Sequence, residues 1–351
     1  MCMNQYRSKF STLNEYEIKD ISLFFQRKHP NGLYSLSMLS ILLETYNITS
    51  FCLKIIDTNG YCQALILLYT YKGMSFNKVL YCPRDGLFFE NLDALQFALA
   101  ELELYSRKLG SSEMSISCSV KNDTFNGYNF HEKYVLGIDL SISQNDLWAC
   151  LRDKTRNSIR KSDKYMLKIT NDYENIDIFY HIYKTRMNSK NVLIHRLDYI
   201  KKLIDAFDSN VNIYVSFYNN KPIASIIVIY YQSKAYYLFS GMLEGYEKMC
   251  PIQSLLWHAI VQCYHKNIQY FDMGESTLGS GTYKFKRWFG AEPKSVFYYK
   301  KSLTNYSYMG SILNIMTSYS FRLINKIILS MGLGALHNSI MLKEKLKNRL
   351  I

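Results

Sequence analysis

Apolar and polar positions change rhythm along the chain in a way that repeats once. Residues 51–70, FCLKIIDTNGYCQALILLYT, form two strand-like runs around Asn59-Gly60, a strong hairpin signal. From about Asn91, Leu92, Leu95, Leu99 and Leu102 recur on one helical face, and Gly110 closes the segment. Glu113 to Val120, EMSISCSV, alternates as a strand does. The second half follows the same order. VNIYVSFY at 211–218 turns through Asn219-Asn220 into PIASIIVIYY, and AYYLFSGM from Ala235 adds a third strand. Pro251 then stands where a helix can begin, and Ile252, Leu255, Leu256, Ala259, Ile260 and Cys263 give that helix one apolar face. Two copies of hairpin, helix and strand predict a tandem α/β (α+β) chain with mixed, mainly antiparallel sheets.

The helix leads into Phe271 to Pro293, FDMGESTLGSGTYKFKRWFGAEP. This stretch reads as a strand ending at Asp272, a loop holding Gly274, Gly279 and Gly281, and a short basic helix stopped by Gly290 and Pro293. Glycines let backbone N–H groups approach a ligand closely. Ser280 or Thr282 is placed to cap the helix. Phe285, Trp288 and Phe289, at i, i+3 and i+4, predict a buried stripe, with Lys284 and Lys286 at its two edges and Arg287 pointing away. The plain alternative is a solvated lysine helix after a loop. Between the halves a single helix is expected from about Asp146 to Lys164, with Leu147, Leu151 and Ile159 inward and Arg152, Arg156, Arg160 and Lys164 every four residues. Like charges at that spacing repel by roughly 0.2–0.5 kcal/mol per pair, so the stripe suits an anion, or is a solvated face partly neutralised by Asp153 and Asp163.

The order Phe-Asp-x-Gly-x-Ser, a glycine-rich gap, then Phe-Lys-x-x-Phe-Gly-Ala resembles the signature of FemAB-related proteins in the GNAT acyltransferase superfamily. Asp139 to Ile169, with its Arg-Asn-x-Ile-Arg-Lys run, resembles the same family's linking helix. The resemblance covers roughly residues 130–300. It implies two GNAT-like domains in tandem: residues 1–135, residues 136–300 with the motif, and an amphipathic basic helical tail over 301–351. It further implies that Phe285 and Lys286 lie at the acyl-transfer centre; the proton of the acceptor amine would go to Asp272 or to a substrate phosphate, with Glu275 the weaker candidate. Gly274, Glu275, Ser276, Gly281, Tyr283, Arg156 and Arg160 would then border the substrates. The strand near Val296 to Lys300 is expected to pair within the second domain.

With 351 residues, 48% of them hydrophobic and 15% aromatic, the chain has material for two packed cores, and disorder is excluded. The net charge of +13 calls for an anionic partner such as RNA, a phosphorylated carrier or a lipid surface. From Lys301 onward seven basic residues face one acidic residue, so the tail is either packed helix or an interfacial helix pair on an anionic membrane. The stretch from Ile312 to Met331 is too polar to span a bilayer comfortably. The eight cysteines form no CxxC pair and His residues do not join them at metal-ligand spacing, which points to reduced thiols, a cytoplasmic chain and no metal site.

No Gly-x-Ser-x-Gly elbow, His-Glu-x-x-His pair or P-loop is present. Ordinary CoA-dependent GNAT enzymes carry an Arg/Gln-x-x-Gly-x-Gly/Ala turn, and the corresponding junction here reads MLEGYEKMCPIQSLL. The donor is therefore expected to be a substrate, aminoacyl-tRNA or acyl-CoA, with no permanently bound cofactor, and the tRNA reading is weighted slightly higher. The acceptor implied by the resemblance is an amine of a cell-envelope precursor, peptidoglycan or surface polysaccharide. DNA is not an expected partner. The competing class is a non-catalytic GNAT-like protein that holds a phosphorylated glycan or RNA.

Overall fold

The computed structural model describes residues 5–303 except 47, 73–77 and 193. The expected helices of the tail from 304 onward lie outside the described residues. The chain divides into two compact units: residues up to Lys133 together with those from Ser295, and residues Tyr134–Lys294.

The first unit runs β1 (Tyr6–Thr12), α1 (Glu15–Lys28), α2 (Pro30–Tyr46), β2 (Ser50–Asp57), β3 (Cys62–Lys72), β4 (Lys78–Cys82), β5 (Leu87–Phe89), α3 (Leu92–Lys108) and β6 (Glu113–Cys118). The β2–β3 turn carries Gly60 at φ +85°, a conformation that favours glycine. Asn91 caps α3 by accepting the Ala94 N–H at 2.8 Å. The continuous apolar run Ala64 to Leu68 is explained by burial on both sheet faces. Ala64, Ile66 and Leu68 meet Leu95, Ala98 and Leu102 of α3. Leu65 and Leu67 meet Ile21 and Phe25 of α1 and Leu36 and Leu39 of α2. Leu92, expected on the α3 apolar face, is exposed because it lies in the first turn, beyond the edge of the sheet contacts.

The second unit takes up β7 (Asn129–Asp139) and continues with α4 (Gln144–Cys150), α5 (Asp153–Lys164), β8 (Lys168–Asn171), α6 (Ile176–Ser189), α7 (Leu197–Phe207), β9 (Val211–Tyr218), β10 (Lys221–Tyr231), β11 (Lys234–Met242), α8 (Pro251–His265), β12 (Tyr270–Ser276) and α9 (Gly281–Arg287); β13 (Glu292–Ser302) follows. Asn219 and Asn220 both have positive φ, as a two-residue β9–β10 hairpin requires. The predicted α8 face is buried as Leu255, Leu256, Ala259, Ile260 and Cys263 against Ile226, Val228 and Phe271. Each such leucine or isoleucine contributes about 1.5–3 kcal/mol. On the opposite sheet face α6 approaches so closely that a Cβ at Gly241 of β11 would lie 2.9 Å from the Ile182 backbone.

The sheets have the same plan. The first unit pairs its strands in the order β1-β2-β3-β4-β6-β13, with β5 on β3, and the second in the order β8-β9-β10-β11-β12-β7. In each, one parallel pair stands among antiparallel ones: β4 with β6, and β11 with β12. The tandem GNAT-like architecture with mainly antiparallel sheets is thus observed. Two expectations are corrected. The strand near Val296 to Lys300 pairs with β6 of the first unit, Phe297 opposite Cys118 and Tyr299 opposite Ile116, because Tyr299 and Leu303 complete that unit's core. The single helix from Asp146 to Lys164 is two, since Leu151 and Arg152 adopt extended backbone between α4 and α5.

Candidate active site

β11 and β12 pair only at Lys234–Tyr270, Ala235–Phe271 and Tyr236–Asp272, after which the two strands part. β11 runs on to Met242 and β12 to Ser276. Leu238 is an extra residue in β11, since Phe239 faces Ile227 and Tyr237 faces Val228 on β10. A bulge of this kind bends its strand and adds twist, which turns β11 away from β12. Along Tyr237–Met242 the backbone groups that point away from β10 have no strand partner among the described residues. Burial changes at the same place, from buried Ala235 and Tyr236 to half-buried Tyr237, Leu238, Phe239 and Ser240.

The corresponding parallel pair in the first unit stays closed. β4 and β6 pair from Val79–Glu113 to Cys82–Ile116, the last residue of β4, and the Ser117 hydroxyl then donates to the Cys82 carbonyl at 3.1 Å. One sheet plan is therefore zipped in one unit and open in the other.

Asp272 is the last residue of β12 that pairs with β11 and is 6% exposed. Its Oδ1 accepts the Gly274 N–H at 2.7 Å, and Gly274 takes φ +77°. This turn shifts the β12–β7 register between Asp272 and Glu275. Lys286, in α9, reaches back to it: Nζ donates to the carbonyls of Gly274 and Glu275, both at 3.0 Å. Lys286 is 8% exposed, more buried than half-buried Phe285 and Trp288. The expectation of Lys286 at the edge of an aromatic stripe is corrected accordingly. Lys286 and Phe289 face inward, because the ammonium satisfies two backbone carbonyls there. Ser280, of the two proposed caps, accepts the Tyr283 N–H at 3.1 Å.

The other residues singled out from the sequence fall around this turn or behind it. Ser276 is buried and donates to the Glu275 carbonyl at 2.8 Å, while Tyr283 is half-buried with its ring edge-on to Tyr134 at 5.8 Å. Gly281 is exposed at the first position of α9. Arg156 lies against α4: its guanidinium donates to the carbonyls of Ala149 at 2.8 Å and Leu151 at 2.6 Å and pairs with Asp153. These are carbonyls that a helix C-terminus leaves without internal partners. Arg160 stacks over Trp148 at 5.4 Å, and Arg152 over Trp288 at 5.3 Å. The arginine stripe is thus anchored on aromatic faces and helix ends, which offsets its mutual repulsion. The α4–α5 joint in turn holds the end of α9. The Arg152 N–H donates to the Trp288 carbonyl at 2.9 Å, and Gly290, at φ +79°, leaves only 3.0 Å between its Cβ position and Cys150.

One feature of the site was not anticipated. Beside the open edge of β11, Phe239 is flanked by Tyr183 at 5.6 Å and His195 at 5.6 Å, and His195 stacks on Tyr199 at 4.5 Å. Burial pushes the His195 imidazole down to about 4. The repeat Leu197, Ile200, Leu203, Phe207 was the available signal for α7, the helix that carries Tyr199. The placement of α8 bears on the donor. It connects the C-terminal end of β11 to the start of β12, so its N-terminus lies at the end where the strands part. That N-terminus begins with Pro251 and has no side-chain cap. Helix N-termini at the carboxyl ends of parallel strands suit phosphate groups.

Residues 151–287 match the family described as acetyltransferase (GNAT) domain. This segment spans the open strand pair, α8, the Asp272–Gly274 turn and α9, and it is a GNAT acyltransferase domain. No curated protein matches the sequence. Among solved structures the chain shares its fold with FemX, at TM-score 0.61 and 12% identity over 82% of this chain and 96% of that one. It is also similar to L-PGS from Bacillus licheniformis, at 0.53 and 13% over 87% and 96%, and to a tandem GNAT protein from the clavulanic acid biosynthesis pathway, at 0.54 and 8% over 86% and 100%. The resemblance to FemAB-related GNAT proteins is borne out at the level of family and fold.

Proposed function

We propose that the second unit transfers an acyl or aminoacyl group from a phosphate-bearing donor to an amine of a cell-envelope precursor. The observation that carries this reading is the strand pair that parts after Tyr236 and Asp272 inside a GNAT domain. The opening between β11 and β12 admits the acyl-bearing arm of the donor in extended form, with the unpaired backbone groups of Tyr237–Met242 available to it. The uncapped start of α8 takes the donor's phosphate, which keeps acyl-CoA in play despite the missing glycine-rich turn.

In this mechanism the acceptor amine attacks the donor carbonyl. N–H groups on the open edge of β11 and the charge of Lys286 stabilise the tetrahedral oxyanion, and Asp272 takes the amine proton. Collapse expels the carrier, and no covalent enzyme intermediate forms. The envelope acceptor follows from the resemblance to FemAB-related proteins, to which the fold likeness to FemX and L-PGS lends support, and we read the reaction as cytoplasmic because such donors are made there. Among the described residues no helix is long and apolar enough to cross a membrane.

The purified chain incubated with acetyl-CoA or aminoacyl-tRNA and amine-bearing envelope precursors should yield an acylated amine detectable by mass spectrometry. Donor binding at several salt concentrations separates the carriers. RNA binding falls by roughly 0.7 to 0.9 log units per log unit of salt for each phosphate neutralised, and CoA binding falls much less. Absence of product with both donors and of binding by either would overturn the reading in favour of a binding protein.

A further inference from the structure

The first unit holds a cavity of about 660 Å³ between one flank of α1 and the β2–β3 hairpin. Its α1 wall is Asp20, Leu23, Phe24, Arg27 and Lys28. These residues follow one another at helical spacing, beside the Glu17, Ile21, Phe25 face that packs inward. Tyr61 stands at the hairpin side, and Lys54 of β2 lies at the base. The volume falls in the range that holds a drug-sized molecule.

The charges in this cavity are unequally committed. Lys54 is 8% exposed, and its ammonium donates to Glu17 at 2.8 Å and Asp20 at 2.5 Å. An ammonium has three protons, so these two bonds leave one for a ligand oxygen. Lys28 pairs with Glu90 at 2.8 Å. Among the described residues none pairs with the Arg27 guanidinium, the remaining cation of the wall. The lining holds three cations and two carboxylates, and both carboxylates are already paired with lysines. Leu23 and Tyr61 are exposed beside Arg27 without an apolar cover, 51% and 70% respectively. An unpaired planar cation next to uncovered apolar and aromatic surface fits a molecule with one anionic group and an apolar body.

We propose that this cavity is a binding site for a small organic anion with an aromatic or apolar body. Its carboxylate, sulfonate or phosphate is held by Arg27 and the third proton of Lys54, and its body lies against Leu23, Phe24 and Tyr61. Its lining residues all belong to the first unit, and the proposal does not depend on the reading of the acyl-transfer centre.

The probe is 8-anilinonaphthalene-1-sulfonate, which has this chemistry and fluoresces when it leaves water. Titrated into the full-length chain, it should give a saturable one-site signal. Arg27→Ala and Tyr61→Ala, both at exposed positions, should each weaken binding by about tenfold or more. Lys19→Ala, which removes a charge from α1 outside the cavity, should leave it unchanged. The proposal is overturned by a non-saturable signal, by binding that survives both cavity substitutions, by an equal loss in Lys19→Ala, or by displacement of the probe by acetyl-CoA or aminoacyl-tRNA.

Discussion

Lys286 anchors α9 in the structure and is also the residue proposed to stabilise the oxyanion, two roles that the sequence alone could not distinguish. A lysine on a short helix suggests a solvent-facing charge, whose removal would spare the fold. With Nζ donating to two carbonyls, the side chain instead ties α9 to the end of β12. Hydrogen bonds from charged groups contribute roughly 1.5–3 kcal/mol each. Lys286→Met should therefore lower stability by roughly 3–6 kcal/mol and turnover by about a hundred- to thousand-fold. An unchanged melting temperature would refute the anchoring role, and unchanged turnover the catalytic one. In the first unit, Lys54 beside Glu17, with help from Lys9, holds the Glu17 carboxyl down at about 2, from an ordinary 4.5. For Lys54, burial works against the charged form, but hydrogen bonds to Asp20 and Glu17 outweigh it and hold the ammonium above its ordinary value. Glu17 is ionised in the unfolded chain above about pH 4.5, so its contribution is fully present there and is lost as pH falls through about 2. The amount is on the order of 3 kcal/mol. Denaturant titrations between pH 5 and pH 2 should show that loss in the parent chain and much less of it in Glu17→Gln.

At the scale of elements, the α4–α5 joint supports α9 from behind. Arg156 binds the last carbonyls of α4, and the end of α4 rests on Gly290 just past α9. Arg156→Ala should cost about 1–2 kcal/mol, as loss of a helix cap does, and should reduce turnover through displacement of α9. Near-normal donor affinity would accompany the loss, whereas a fall in affinity with turnover at saturation intact would mean that Arg156 contacts the donor directly. The periodic patterns of α3 and α8 were legible because each buries one long apolar face. The break at Leu151–Arg152 was not. Both residues are compatible with a helix, and what ends α4 there is the contact with Trp288 and Gly290, far away in sequence.

Across the whole molecule, the sixth strand of each sheet comes from the chain that follows the elements of the other unit. β7 pairs with β12, and β13 with β6. The first unit consequently depends on residues more than 150 positions away from β6: Tyr299 stacks on Phe125 at 3.8 Å, and Arg107 donates to the Leu303 carbonyl at 2.9 Å. A fragment ending at residue 135 lacks that strand and exposes the edge of β6, so it should aggregate or remain unfolded. A version with residues 292–303 joined through a flexible linker should recover a cooperative melting transition. Equal stability of the two fragments would show that β13 is dispensable.

Local pattern determined the hairpins, α3, α8, the capped helix at Ser280 and the tandem order, because hydrophobic period, turn residues and caps are properties of neighbouring positions. The motif from Phe271 to Pro293 also located the turn at Asp272 and Gly274, where glycine is needed for φ above zero. Only the tertiary structure decided that β11 and β12 part while β4 and β6 stay paired, since a strand's partner is set by what packs across it and by the bulge at Leu238. It alone turned Lys286 inward and Arg156 onto α4, because hydrogen-bond partners at that range are carbonyls of the backbone, and every residue type supplies the same carbonyl to the sequence.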